Sequence, residues 1–187
     1  HELVHAMIND MVYGGRIQNI VRSRTQLSIP LWANEGLAEF LSSNWDTEVD
    51  MIIRDLAINE RIPSISELQS ILAYRGGQSV WRFIAKKYGR EKIAEIIQAM
   101  KRYQNAEKGF EEALGMDYKE LNEQWHKYIK KEYFPDIAGR DAIDDVAKPL
   151  TDHKKSNNFY NIAPAVSPDG SQVVYFTDNM GYIDTVS

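Results

Sequence analysis

Over most of the chain, apolar positions recur every three to four residues, the repeat that places them on one face of an α-helix. His1 to Tyr13 carries Leu3, Val4, Met7, Ile8, Met11 and Val12 on that period, and Gly14-Gly15 ends it. Residues 16–24 continue helically until Ser28-Ile29-Pro30 interrupts the pattern. Leu31 to Leu41 forms the next helix. Asp46 to Asn59 forms another, with Met51, Ile52, Leu56 and Ile58 as its apolar face. Pro63-Ser64-Ile65-Ser66 reads as a loop, with Ser66 placed to cap a short helix through Gln69. Tyr74 to Tyr88 is a helix closed by Gly89, Arg90 to Arg102 follows at once, and two more fit 105–114 and 117–133. The last of these opens on Asp117 as N-cap and carries Trp125, Tyr128 and Ile129 as its core stripe.

The pattern changes after Pro135. Residues 136–158 are polar, rich in Asp and Lys and without a clear period, and read as a linker. Beyond Asn161 the pattern is that of β-structure. Val173-Val174-Tyr175-Phe176 lies between two turn signals, Ser167-Pro168-Asp169-Gly170 and Asp178-Asn179-Met180-Gly181. A hairpin of that size cannot bury its own apolar face. The chain is therefore expected to be mainly α, with a helical domain over 1–135, a linker over 136–158 and a short β segment over 159–187.

Composition narrows the function more than the fold. With 187 residues there is room for one medium domain and a fragment of a second. A net charge of −5 and a pI near 5.4 argue against nucleic acid or an anionic membrane surface as partner. No apolar run approaches the roughly eighteen residues of a membrane span. Cysteine is absent, which removes disulfides and thiolate ligands and leaves His and carboxylate as metal donors. The chain opens without an initiator Met or a leader and is expected to be a piece of a longer protein.

That opening is also where the chemistry lies. His1-Glu2-Leu3-Val4-His5 spells H-E-x-x-H. Residues four apart on a helix stand one above the other, about 6 Å along the axis, so both imidazoles can aim at one ion. Zinc accepts such nitrogens at about 2.0–2.1 Å. Glu2 leaves the same turn at another angle, where it can reach an attacking water instead of the metal. A hydrolytic zinc site takes three protein ligands, and Glu35, in Asn34-Glu35-Gly36-Leu37-Ala38-Glu39, is the best candidate for the third. Gly36 beside it permits close helix approach. Glu39, one turn on, is placed to accept a hydrogen bond from a ligand histidine and so fix its tautomer. His126 and His153 have no partners at metal spacing and suit core or surface roles. Lys86-Lys87 and Lys130-Lys131 suit solvated faces, and neither a Gly-rich phosphate loop nor G-x-S-x-G occurs.

His1-Glu2-Leu3-Val4-His5 followed by Leu31-Trp32-Ala33-Asn34-Glu35-Gly36-Leu37-Ala38-Glu39-Phe40 resembles the gluzincin metallopeptidases. Within them it is most similar to the aminopeptidase N-type clan and the bacterial peptidase MA-like domains. The resemblance covers about residues 1–135 and implies the helical C-terminal subdomain of a zincin-type enzyme. It implies zinc as cofactor, His1, His5 and Glu35 as ligands, and Glu2 as general base. Tyr74-Arg75-Gly76-Gly77 resembles the Y-x-x-G element of the same enzymes, which implies Tyr74 as the donor to the oxyanion. There are departures. The interval from His5 to Glu35 exceeds the aminopeptidase N pattern, which implies an insertion around 14–28. The strands that bind the substrate backbone and the motif that grips its free amine are not in this sequence, so exo- or endopeptidase character stays open. Positioning contributes about 7–11 kcal/mol to such reactions, and this stretch by itself is expected to be inactive or impaired.

The C-terminal segment carries a second resemblance. Pro164-Ala165-Val166-Ser167-Pro168-Asp169-Gly170 and then Val173-Val174-Tyr175-Phe176-Thr177-Asp178 are similar to the first repeat of a TolB-type β-propeller, truncated here. That likeness points to a periplasmic or extracellular setting. Two functional readings follow. In one, zinc-dependent hydrolysis of a peptide or protein substrate occurs at His1, His5 and Glu35. In the other, a non-catalytic helical scaffold with a structural or degenerate metal site presents a propeller to a protein partner.

Overall fold

The computed structural model describes residues 1–14, 27–141, 143–152, 155 and 161–177. The helix expected over 16–24, His153 and the turn at Asp178 to Gly181 lie outside them. Two compact units are present, His1–Ala138 and Gly139–Ser187.

Among the described residues, the regular elements of the first unit are all helical: α1 (Glu2–Tyr13), α2 (Leu31–Ser42), α3 (Thr47–Ile58), a short 3-10 turn (Ile65–Glu67), α4 (Ile71–Tyr88), α5 (Glu91–Tyr103), α6 (Ala106–Leu114) and α7 (Tyr118–Ile137). Local chemistry sets most of these boundaries. Gly14 adopts φ 72°, a left-handed conformation that ends α1 at little cost. Pro30 precedes the first residue of α2. Asp46, Asn105 and Asp117 cap α3, α6 and α7 by accepting from the backbone N–H of Val49, Lys108 and Glu120.

The structure departs from the sequence pattern in several places, each with a physical reason. α4 begins at Ile71, one turn before Tyr74, behind a Ser70 at φ 50° whose side chain makes no cap hydrogen bond, so no start signal is legible. The short turn is capped by Ser64, not Ser66, through a reciprocal box with Glu67. α3 buries Val49, Ile53 and Ala57, while Met51 is exposed; its inward face is rotated toward α7 and α4. In α1 Val4, Ile8, Val12 and Tyr13 pack inward, and Leu3, Met7 and Met11 form an exposed ridge. α7 runs through Pro135 to Ile137, because a proline in the last turn removes one terminal hydrogen bond and Asp136 is held by Arg54. Its buried stripe is Leu121, Trp125, Ile129 and Tyr133, with Tyr128 at the edge beside Lys86. A four-residue helix, α8 (Ile143–Val146), lies within the segment expected as linker.

The core centres on aromatic rings. Trp32, Trp81, Phe110 and Tyr118 pack with centroid separations between 5.3 and 6.4 Å. Trp81 donates to the Ala33 carbonyl at 2.9 Å, and Trp125 to Ser79 Oγ at 3.2 Å, so the indole N–H groups are not left unpaired.

α2 and α4 make the tightest helix pair, and glycine is the reason. A Cβ on Gly36 would stand 2.4 Å from Gly77 Cα, and one on Gly77 would stand 2.2 Å from the Trp32 carbonyl oxygen. Backbone packs on backbone there, which fixes α2 against α4 along its length.

The second unit contains β1 (Asn161–Val166) paired antiparallel with β2 (Val173–Thr177). Ile162 faces Phe176 and Val166 faces Val173, with an irregularity between Ile162 and Ala165. The connecting turn is held by Asp169, which accepts from the Ser167 and Ser171 hydroxyls; these donors bring its carboxyl down to about 2. Ile162, Val166, Val174 and Phe176 are exposed.

Candidate metal centre

The first turn of α1 packs beside the middle of α2, and this brings together side chains thirty residues apart in sequence. His1 Nε2, His5 Nε2 and Glu35 Oε2 form a nearly equilateral triangle. The two nitrogens are 3.0 Å apart, and each lies 3.2 Å from the oxygen. Ligand atoms of a tetrahedral zinc with bonds near 2.0–2.1 Å lie about 3.3 Å from one another. The separations among His1, His5 and Glu35 are thus close to those that holding such an ion would require. Side-chain exposures of 26%, 18% and 15% for His1, His5 and Glu35 keep this face in contact with solvent.

The protonation pattern makes the convergence more informative than the distances alone. Glu39 Oε1 is 3.0 Å from His1 Nδ1, within ion-pair distance though not aligned as a hydrogen bond, and Nδ1 is buried with no hydrogen-bond partner. A carboxylate only accepts, so the proton of a neutral His1 belongs on Nδ1 and its Nε2 carries a lone pair. That lone pair is turned toward Glu35 Oε2, another acceptor. A second proton on His1 could relieve that one contact. Three donor atoms converging on a single point are better matched by one cation, and two imidazoles with a carboxylate are a set that zinc accepts. The residues present therefore fit the ion.

Around the triangle, Tyr74 projects from α4 with its ring near-parallel to His1, centroids 6.1 Å apart. The charge of Glu35, desolvation, a hydrogen bond to Glu35 and the charges of Glu2 and Glu39 raise its phenol above the ordinary 10.0, so the hydroxyl keeps its proton. Glu2 is exposed on the first turn of α1. Glu39 uses both oxygens, Oε1 toward His1 and Oε2 accepting from Arg75 Nη1 at 3.0 Å. Arg75 reaches on to Glu48 Oε2 at 3.3 Å. The sequence pattern did not single out Arg75 or Glu48. The available signal was indirect: a half-buried Glu39 needs a cation, and Arg75 adjoins Tyr74.

The remaining sequence candidates stand apart from this cluster. His126 faces the Pro63 carbonyl at 3.0 Å beside Trp125, a packing role. Lys86 reaches Tyr128 and Glu132, and Lys130 reaches Glu60, on exposed helix faces.

The helical unit has a counterpart among known families. The profile of the Peptidase MA superfamily matches residues 1–131. The chain belongs to the Peptidase MA superfamily. Members of this superfamily are typically metalloproteases, so a peptidase-like domain is the identity of the helical unit. The chain is also 29% identical over 120 residues to "Uncharacterized protein YhcO" of Bacillus subtilis (strain 168), covering 61% of this chain and 36% of that protein. It thus spans about a third of that relative's length. No solved structure matches the chain. Among the described residues of this superfamily member, no helix is long and apolar enough to cross a membrane.

Proposed function

We propose that the helical unit is the metal-binding half of a zinc-dependent peptidase active site, with His1, His5 and Glu35 as the ligands. The observation that carries this reading is the convergence of two imidazole nitrogens and a carboxylate oxygen on one point, within 3.2 Å of one another, in a superfamily of metalloproteases. When bound, zinc supplies Lewis acidity, polarising a carbonyl and lowering the pKa of water toward about 7.

The protein's own groups then have distinct tasks. Glu2, on the same turn as His1 but at a different angle, takes the proton of the attacking water and passes it to the leaving amine. Tyr74, a phenol that is protonated at neutral pH, donates to the carbonyl oxygen as that atom gains negative charge. Glu39 holds the tautomer of His1. The solvent contact of the cluster supports a catalytic over a structural metal, since structural zinc sites are closed. The substrate is a peptide or protein, and segments outside this sequence are expected to align its backbone.

For the second unit, the Ser-Pro-Asp-Gly turn and the exposed Ile162, Val166, Val174 and Phe176 support a first repeat of a TolB-like propeller, whose apolar positions await neighbouring strands. Such a propeller would offer a protein-binding surface.

The test is Glu2→Gln in the longest parent protein containing this sequence. The amide cannot take a proton, so peptide hydrolysis should fall by at least about 100-fold, the ordinary contribution of general acid–base catalysis, while zinc stays bound. Undiminished hydrolysis would overturn the peptidase reading.

A further inference from the structure

Glu39 can orient His1 only if it is itself held, and α2 alone does not hold it. Its carboxylate is only 15% exposed, and Glu35, a like charge, stands one turn away on the same helix. Free to rotate, it would turn outward to water. Arg75 prevents this. Its guanidinium, itself 18% exposed, donates through Nη1 to Glu39 Oε2 at 3.0 Å and through Nη2 to Glu48 Oε2 at 3.3 Å. One side chain from α4 thus ties α2 to the first turn of α3.

Arg75 Nε is buried without a partner. The guanidinium is therefore committed to these two carboxylates at some desolvation cost, which surface charge pairing does not demand. Lysine could not substitute fully, because an ammonium lacks the planar fork that spans two acceptors.

We propose that Arg75 is a positioning residue for the metal centre: by clamping Glu39 between α4 and α3, it fixes the orientation of His1 toward the ion. The inference rests on the metal-centre reading above and adds the device that keeps its outer carboxylate aimed. Electrostatics and positioning predict opposite signs. Removing a positive charge beside a cation site should tighten metal binding, whereas releasing Glu39 should weaken it.

The experiment is zinc affinity by chelator competition on the full chain, for wild type, Arg75→Met, Arg75→Lys, Glu39→Ala and the double variant Glu39→Ala/Arg75→Met. Thermal melts run in parallel. Arg75→Met should weaken zinc about 10-fold, the lower end of losses for outer partners of a metal ligand. Arg75→Lys should fall between it and wild type. The double variant should bind zinc no more weakly than Glu39→Ala alone, because Arg75 acts through Glu39; a purely structural residue would not show that dependence. Unchanged or tighter zinc binding in Arg75→Met, or losses that simply add in the double variant, would overturn the proposal. Should Arg75→Met not fold, Glu48→Gln releases the other arm of the clamp and is expected to weaken zinc in the same direction; no change there would equally overturn it. Absence of zinc binding by wild type would instead refute the metal-centre reading.

Discussion

The contact between Gly36 and Gly77 makes a prediction with a built-in control, because the next residue, Gly76, is also a helical glycine. At Gly77 an added methyl would meet the Trp32 carbonyl oxygen at 2.2 Å and Gly36 Cα at 2.9 Å, both backbone atoms of α2. Neither can move without shifting the helix. At Gly76 the methyl would meet the ends of the Leu68 side chain, Cδ2 at 2.6 Å and Cδ1 at 3.3 Å, which can change rotamer. Both substitutions gain about 0.8–1.0 kcal/mol of helix propensity. Overpacking typically costs about 1–3 kcal/mol, and a backbone clash belongs at or above the top of that range. Gly77→Ala should therefore destabilise by about 2 kcal/mol net, and Gly76→Ala by well under about 1 kcal/mol. For a domain of this size the former corresponds to a fall in Tm of about 5–10 °C. Thermal unfolding followed by far-ultraviolet circular dichroism measures both. Because α2 carries Glu35 and Glu39, Gly77→Ala should also weaken zinc binding. Equal melting temperatures for the two variants would refute this account of the α2–α4 interface.

Other outcomes follow from the polar contacts. Burial alone would raise the Asp50 carboxyl, but hydrogen bonds from Trp45, Tyr133 and Arg54 outweigh it and hold its pKa below the ordinary 3.8. Its contribution to stability is therefore present above about pH 4 and lost as pH falls through the depressed value. Asp50→Asn should melt lower than wild type at neutral pH, with the gap narrowing below about pH 4; a constant gap would refute the assignment. Glu39→Ala should weaken zinc by about 10–100-fold without abolishing binding, measured by competitive titration, and an unchanged affinity would make Glu39 a bystander.

The helices were largely legible because caps and glycines are local signals: Asp117, Asn105 and Gly14 act within one turn of where they stand. What escaped was non-local. The inward face of α3 is selected by α7 and α4, so Met51 and Val49 could not be ranked from periodicity alone. α4 starts one turn early at Ser70, where no side chain caps it. Past Pro135, α7 carries Asp136 onto Arg54, a partner eighty-two residues away in sequence. At the candidate site, the i, i+4 spacing of His1 and His5 and the Asn-Glu-Gly element were local and stood out. Arg75 and Glu48 were not visible, because their meaning arises only when α4 is laid across α2 and α3.

The central claim is that His1, His5 and Glu35 hold a zinc ion together. Its most direct test is metal content after zinc loading and exhaustive desalting, compared for wild type, His5→Ala and Glu35→Ala, with circular dichroism to verify folding. The account predicts about one zinc per wild-type chain and near-complete loss in both variants, since a catalytic-type site has three protein ligands and neither remaining pair suffices. Wild type without bound zinc, or Glu35→Ala with as much zinc as wild type, would contradict it.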